Sequence, residues 1–347
     1  MEAFNDIFED CTSLGTKIPK EDYLTEGKHI VIDQGQKTIA GYTDLEEGLY
    51  EDVPAIIFGD HTRIIKYVDE PFFLGADGVK LLKSKRKDAN YKYLYYALKN
   101  ARIPGTGYNR HFKWLKEISI EYPDCGKQQD IVNVLDKISL IIEKRNLELE
   151  VLDELIKARF VEMFGDIKNA FERWNGKSFK EVTINLDSKR KPVKDSDRKQ
   201  MQGPFPYYGA TGIVDYVNDY MQEGTFLLVS EDGKALEFRN KPIAFIASGK
   251  IWVNNHAHVQ LCTEECNMVY LMYHINMMDV RQWVTGIDQK KLNRENLDSI
   301  PIALPPIELQ EQFAEFVEQV DKSKVVVKKA LDEAQTLFGS LMQEYFG

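Results

Sequence analysis

LKEISIEYPDCGKQQDIVNVLDKISLIIEKRNLELEVLDELIKARFVEMFG, residues 115–165, returns without a gap as LDSIPIALPPIELQEQFAEFVEQVDKSKVVVKKALDEAQTLFGSLMQEYFG, residues 297–347, an offset of 182 positions (297 − 115). Identical pairs include Pro123/Pro305, Gln128/Gln310, Leu149/Leu331, Leu155/Leu337 and Phe164/Phe346. Periodicity says more than identity. Leu135, Ile138, Ile142, Arg145, Leu149, Leu152 and Ile156 advance in alternating steps of three and four, and Val317, Val320, Lys324, Val327, Leu331, Ala334 and Phe338 keep the same steps. That spacing is a heptad seam, sustained for about three heptads in each copy. Each copy opens on a strand-like alternation closed by proline (Ile118, Ile120, Pro123; Ile300, Ile302, Pro305). A helix of roughly 35 residues, about 50 Å long at 1.5 Å per residue, is predicted to follow. One seam alone would leave its apolar stripe in water; two in one chain predict an intramolecular, antiparallel coiled coil. Arg145 and Lys324 interrupt the seam. Either they snorkel to a solvated end, or charged seam positions set the register.

Each helical copy is preceded by a segment, and the two segments have a similar order of parts. Phe4 and Phe179 open them, short apolar runs follow (Pro54–Gly59; Thr225–Ser230), and helical spacing appears at Tyr91–Asn100 and Val269–Met278. Gly107 and Gly286 come after those helices. Neither segment alternates strand and helix regularly, so the fold class is α+β with mixed sheets. The expected division is a globular domain at 1–121, a spacer helix at 122–166, a second globular domain at 167–303 and a second helix at 304–347.

The 347 residues carry a net charge of −10, which taken globally opposes a nucleic-acid partner, but the charge is unevenly placed. Residues 1–60 hold 14 acids and 4 bases, whereas residues 78–113 hold 10 bases and one acid. Tyr91, Tyr93, Tyr95, Tyr96, Tyr108 and Phe112 are interleaved with those bases, a composition suited to a phosphate backbone. No apolar run is long enough to span a membrane, and Met1–Asp6 lacks a basic leader. Four scattered cysteines fit a reducing cytoplasm.

Taken together, the chain resembles the specificity subunit of type I restriction–modification systems. The marks are the two globular segments, the two helical copies and the run Ile300–Gln312, where Pro305-Pro306 precedes Glu311-Gln312. The first copy departs from that run with Asp124-Cys125-Gly126-Lys127 after a single proline. Ile57–Thr62, Gly75–Gly78 and Trp252–His258 also resemble runs of such recognition domains. The resemblance implies a subunit without catalysis or cofactor, bound to double-stranded DNA. It also implies a complex with two modification subunits, which methylate adenine, and with restriction subunits that translocate and cut DNA. Each globular domain would read one half of a split target, with the helix pair setting the spacing and docking the modification subunits.

The residues agree by what they lack. The sole Pro-Pro, Pro305-Pro306, is followed by Ile307 rather than an aromatic residue, unlike an adenine methyltransferase site, and no phosphate-binding loop motif occurs. Base flipping and transfer would fall to a partner. Pro123-Asp124 with Lys127 lacks the second acid of a nuclease site. His256, His258, Cys262 and Cys266 do not follow a standard zinc spacing, so no metal is expected.

Three kinds of place are candidates for DNA contact. Basic segments would hold phosphates: Lys83, Lys85, Arg86 and Lys87, with Lys113; then Lys189, Arg190, Lys191, Lys194, Arg198 and Lys199, with Lys291. Post-helix loops (Tyr108, Asn109, Arg110, His111; Gln289, Lys290) and strand-end loops (Asp60, His61, Thr62, Arg63; Asn254, Asn255, His256) hold groups able to read base edges. Asn, Asp and Gly also form turns for their own sake, so each loop residue has a structural alternative. A coiled-coil scaffold that binds only proteins is the competing function.

Overall fold

The computed structural model describes residues 1–347 other than Ala76, Asp77, Thr106, Tyr108 and Asp288. Its two long helices, Cys125–Phe164 and Ile307–Phe346, have 40 residues each. Both bounds keep the sequence offset of 182 (307 − 125; 346 − 164). The chain forms two compact units, residues 1–146 with 329–347, and residues 147–328. Each long helix is thus divided between the units. No helix among the described residues is long and apolar enough to cross a membrane.

The heptads pack as their spacing requires. In the first unit Ile131, Val132 and Leu135 share a cluster with Met342, and Phe338 packs against it. In the second unit Ile156, Phe160 and Phe164 cluster with Phe313, Val317 and Val320. Early turns of one helix meet late turns of the other in both units, so the pair is antiparallel. Ile138, Val327 and Leu331 are also buried, and Ile142, Leu149 and Leu152 half-buried. Lys324 lies at no solvated end. Its amine bonds Asp153 of the other helix at 2.6 Å and Asp321 at 3.2 Å. Burial disfavours its charge, yet these carboxylates raise its pKa above the ordinary value.

The identical glutamines have a shared task. Both Gln128 and Gln310 are fully buried. Gln128 accepts from Asn90 N–H at 3.0 Å and donates to Pro123 O at 2.8 Å. Gln310 accepts from Asn267 N–H at 2.8 Å and donates to Pro305 O at 2.8 Å. Asn90 and Asn267 cap the short helices Tyr91–Asn100 and Met268–Met277 through their side chains. Tyr93 and Tyr270 then donate to Glu121 O and Ala303 O, which themselves obey the offset (303 − 121). Each amide thereby clasps a capped helix to the start of a long one. Gln310→Leu should cost about 1–3 kcal/mol by stranding its partners; an unchanged urea midpoint would remove the clasp from the stability argument.

The first unit contains β1 (Phe8–Asp10), β2 (His29–Ile32), β3 (Gly41–Thr43), β4 (Ala55–Gly59), β5 (Ile65–Val68), β6 (Phe72–Leu74) and β7 (Val79–Ser84). One sheet has the order β1-β7-β4-β5, the other β3-β2-β6. The apolar run of β4 is buried throughout. The second unit contains β8 (Thr183–Asn185), β9 (Gln202–Gly209), β10 (Gly212–Val217), β11 (Gln222–Ser230), β12 (Ala244–Val253) and β13 (Ala257–Cys262). These form one six-stranded sheet, β8-β13-β11-β12-β9-β10. The series β1-β7-β4-β5 and β8-β13-β11-β12 match, antiparallel throughout. Parallel pairs β2/β6 and β9/β12 make the pattern mixed in both units.

Strand β12 is continuous through Gly249-Lys250. Gly249 (φ 92°) pairs with Gly224 (φ 146°), so two residues without Cβ absorb the kink together. Tyr207–Gly212 forms the closed end of the β9–β10 hairpin.

Candidate nucleic-acid interface

In the first unit, Gly59 at the end of β4 pairs with Val79 at the start of β7. Asp60 N–H then donates to Gly78 O at 2.7 Å. The post-helix segment returns to the same point. His111 N–H and Nδ1 lie 2.8 and 2.9 Å from Asp60 O, and Phe112 N–H donates to Asp60 Oδ1 at 2.7 Å. The β2–β3 turn also arrives there. Gln34 accepts from His61 N–H through Oε1 at 3.1 Å and from Thr62 Oγ1 through its carbonyl at 2.7 Å. Arg63, in the left-handed region at φ 62°, donates from Nη1 to Ile103 O at 3.1 Å. Thr62, Arg63, Asn109 and Arg110 are exposed around this knot, and Lys113 lies over the Trp114 ring. Tyr108 lies outside the described residues.

The second unit repeats the convergence with different side chains. Ser230 ends β11 opposite Ala257 of β13. Glu231 N–H donates to His256 O, and Leu292 N–H to Glu231 O, as His111 N–H does to Asp60 O. One carboxylate joins the loops: Asp232 Oδ2 lies 2.7 Å from His256 Nδ1 and 3.3 Å from Gln289 Nε2. The β9–β10 turn completes the cluster, Ser230 Oγ donating to Ala210 O at 2.5 Å. Asn255 and Gln289 are exposed, His256 has a side chain 45% accessible, and Lys290 and Lys291 are half-buried.

Beneath the cluster sits a buried histidine–carboxylate contact. His258, 1% exposed, has Nδ1 2.6 Å from Asp187 Oδ2 and Nε2 2.9 Å from Leu292 O. Burial alone would raise the Asp187 pKa. The His258 contact and the Val259 N–H outweigh it and hold the carboxyl at about 2. Asp187 starts the turn that leads into the basic segment, and Lys191 N–H donates to Val253 O at 3.3 Å. Lys189, Lys191, Lys194 and Lys199 are exposed on that segment.

Several sequence-derived candidates have other tasks, which corrects the expectation for them. Asp60, His111 and Asn254 are 3%, 1% and 6% exposed. They tie loops together instead of facing outward, Asn254 Oδ1 accepting from His256 N–H. Lys83 is buried, its amine held by Asp52 O, Asp52 Oδ1 and Pro54 O at 2.8–3.0 Å. Arg190 pairs with Glu231 at 2.6 Å and Arg198 with Asp215 at 3.1 Å, both side chains 16% exposed. Lys85, Arg86 and Lys87 leave β7 at the end away from Gly78, about 20 Å along the strand at 3.3 Å per residue. There Lys85 donates to Asn5 O at 2.6 Å and Arg86 pairs with Glu2. These three are therefore apart from the loop cluster.

Cys262 and Cys266 lie at the opposite end of β13 from His258. Contact with Cys262 and burial raise the Cys266 thiol pKa, which disfavours the thiolate a metal would need. No group of three His, Cys, Asp or Glu among the described residues is placed to hold a metal. Sequence reasoning missed Gln34 and Asp187. Gln34 precedes Gly35 between strand-like runs, so the turn was visible but its destination was not.

The family model of the type I restriction modification DNA specificity domain matches residues 3–151 and again 172–334. A Haemophilus influenzae protein named as a type I restriction enzyme specificity subunit is 38% identical over 142 residues, 41% of this chain and 36% of that protein. The chain thus spans about a third of that relative's length in the match. A Mycoplasma genitalium type I specificity subunit is 23% identical over 356 residues, 96% of this chain and 90% of that protein. The crystal structure of the S subunit of a type I restriction-modification system from M. genitalium gives a TM-score of 0.64 at 20% identity, covering 100% of this chain and 95% of that one. At this identity the structural likeness concerns the fold.

Proposed function

The chain belongs to the type I restriction modification DNA specificity family, and from that premise we propose that it reads a split DNA target, one half-site per unit. The observation that carries this is the repeated convergence of strand-end, hairpin and post-helix loops at one end of the matching strand series. A rigid sheet holds each cluster, and its outward side chains are donors and acceptors of the kind that read base edges. In the first unit the reading groups are Thr62, Arg63, Asn109 and Arg110, with Lys113 on phosphate. In the second they are Asn255, His256, Gln289 and Lys290, with Lys189, Lys191, Lys194, Lys199 and Lys291 on phosphate.

The subunit itself is non-catalytic in this reading. Two modification subunits supply adenine methylation and restriction subunits supply translocation and cleavage, in the cytoplasm. The long helices dock the modification subunits.

Methylation mapping in a host with and without this gene tests the function: loss of one bipartite motif is expected. Arg110→Ala should then relax one base of one half-site at a cost of about 1–3 kcal/mol. An unchanged motif and unchanged affinity would remove Arg110 from the reading surface. Persistence of the methylation pattern without the gene would leave the scaffold function in its place.

A further inference from the structure

The β9–β10 hairpin has a feature that the loop cluster does not use. Tyr207 pairs with Asp215, but Tyr208 pairs with Ile213. Val214 is therefore the extra residue of a bulge, a device that re-aims one side chain. Its side chain stands over Gly209, where an added Cβ would lie 2.8 Å from Val214 Cγ1. Val214 is 57% exposed and Ile213 46%. An edge strand that presents apolar side chains to water is usually covered or charged, and β10 is the edge of its sheet.

The position of the hairpin is fixed by the cluster. Asn254 N–H donates to Tyr208 O at 3.1 Å, and Ala210 O accepts from Ser230 Oγ. Cations border it. Arg198 and Gln202 hold Asp215, the residue after Val214, at 3.1 and 3.2 Å, and the turn that Arg198 anchors carries the exposed Lys194 and Lys199, Lys199 lying 3.7 Å from Asp195. The first unit also has a hairpin whose first strand pairs in parallel, β2–β3 on β6, but its exposed turn residues are Gln36, Lys37 and Thr38. The two units offer unlike chemistry at like positions.

We propose that Val214 is a specificity-determining residue of the second unit that reads a thymine through its 5-methyl group, with Lys194 and Lys199 on the flanking phosphates. The inference rests on the DNA-reading function above. Apolar contact with that methyl is how an aliphatic side chain distinguishes thymine in the major groove. The lysine border suits a duplex, whose phosphates flank its base edges.

The test uses the assembled complex and the duplex defined by methylation mapping. Each thymine of each half-site is replaced singly by deoxyuridine, which deletes the methyl alone. One position read by the second unit should weaken binding about three- to fivefold, the scale of one buried methyl. Val214→Ser, which removes both γ-methyls at a surface position, should bind thymine and deoxyuridine duplexes equally there and keep wild-type binding elsewhere. Wild-type complex indifferent to every deoxyuridine, or a Val214→Ser complex with undiminished discrimination, would overturn the proposal. If the wild-type complex did not prefer the mapped duplex over a scrambled one, the DNA-reading function itself would fall instead.

Discussion

Phe160→Ala should destabilise the second unit by about 3–5 kcal/mol, the range for truncating a buried phenylalanine. Phe160 is 0% exposed. It stacks on Tyr270 with centroids 5.6 Å apart and meets Phe313 edge-on at 5.4 Å and Phe164 at 4.9 Å. The seam of both long helices and the capped helix Met268–Met277 therefore meet on one ring. Its loss opens a cavity among side chains fixed by three separate segments, so little collapse can fill it. Leu147 supplies the control on the same helix. It is 58% exposed, and Leu147→Ala should stay within about 0.5 kcal/mol. Thermal unfolding should separate the two variants by roughly 10 °C. Equal shifts would mean that the heptad seam is not what holds this region.

His258→Leu should cost about 3 kcal/mol, because it leaves the Asp187 carboxylate buried without its nearest partner. Asp187 is 13% exposed, and Arg190, at 3.4 Å, remains. The effect is also legible in acid. The folded pKa of Asp187 is about 2 against an ordinary 3.8. A depressed carboxylate contributes stability above its unfolded pKa and loses it as pH falls through the folded one. That contribution is about 2 kcal/mol at neutral pH and fades between about pH 5 and 2. Urea midpoints followed over that window should fall more steeply for the wild type than for the variant. Parallel curves would show that His258 does not set the Asp187 titration. The same substitution frees Leu292 O and the turn leading to Lys189, so discrimination at the second half-site should weaken along with stability.

The sequence by itself determined the long helices, because a heptad seam is a local pattern and each helix hydrogen-bonds within itself. The offset of 182 carried over from residues to helix bounds, and Gln128/Gln310 stood out only as an identical pair, its clasp being legible only in the fold. The β4 run, the helix Tyr91–Asn100 and the α+β class were equally local matters. Only the tertiary structure decided which loop residues face outward. Asp60 meets His111 across 51 residues and Asp232 meets Gln289 across 57, distances over which no periodicity speaks. Composition made Lys83, Arg190 and Arg198 resemble phosphate binders, yet burial and paired acids commit them to the fold. The bulge that exposes Val214 depends on register between two strands, and register is fixed by the packed sheet as a whole.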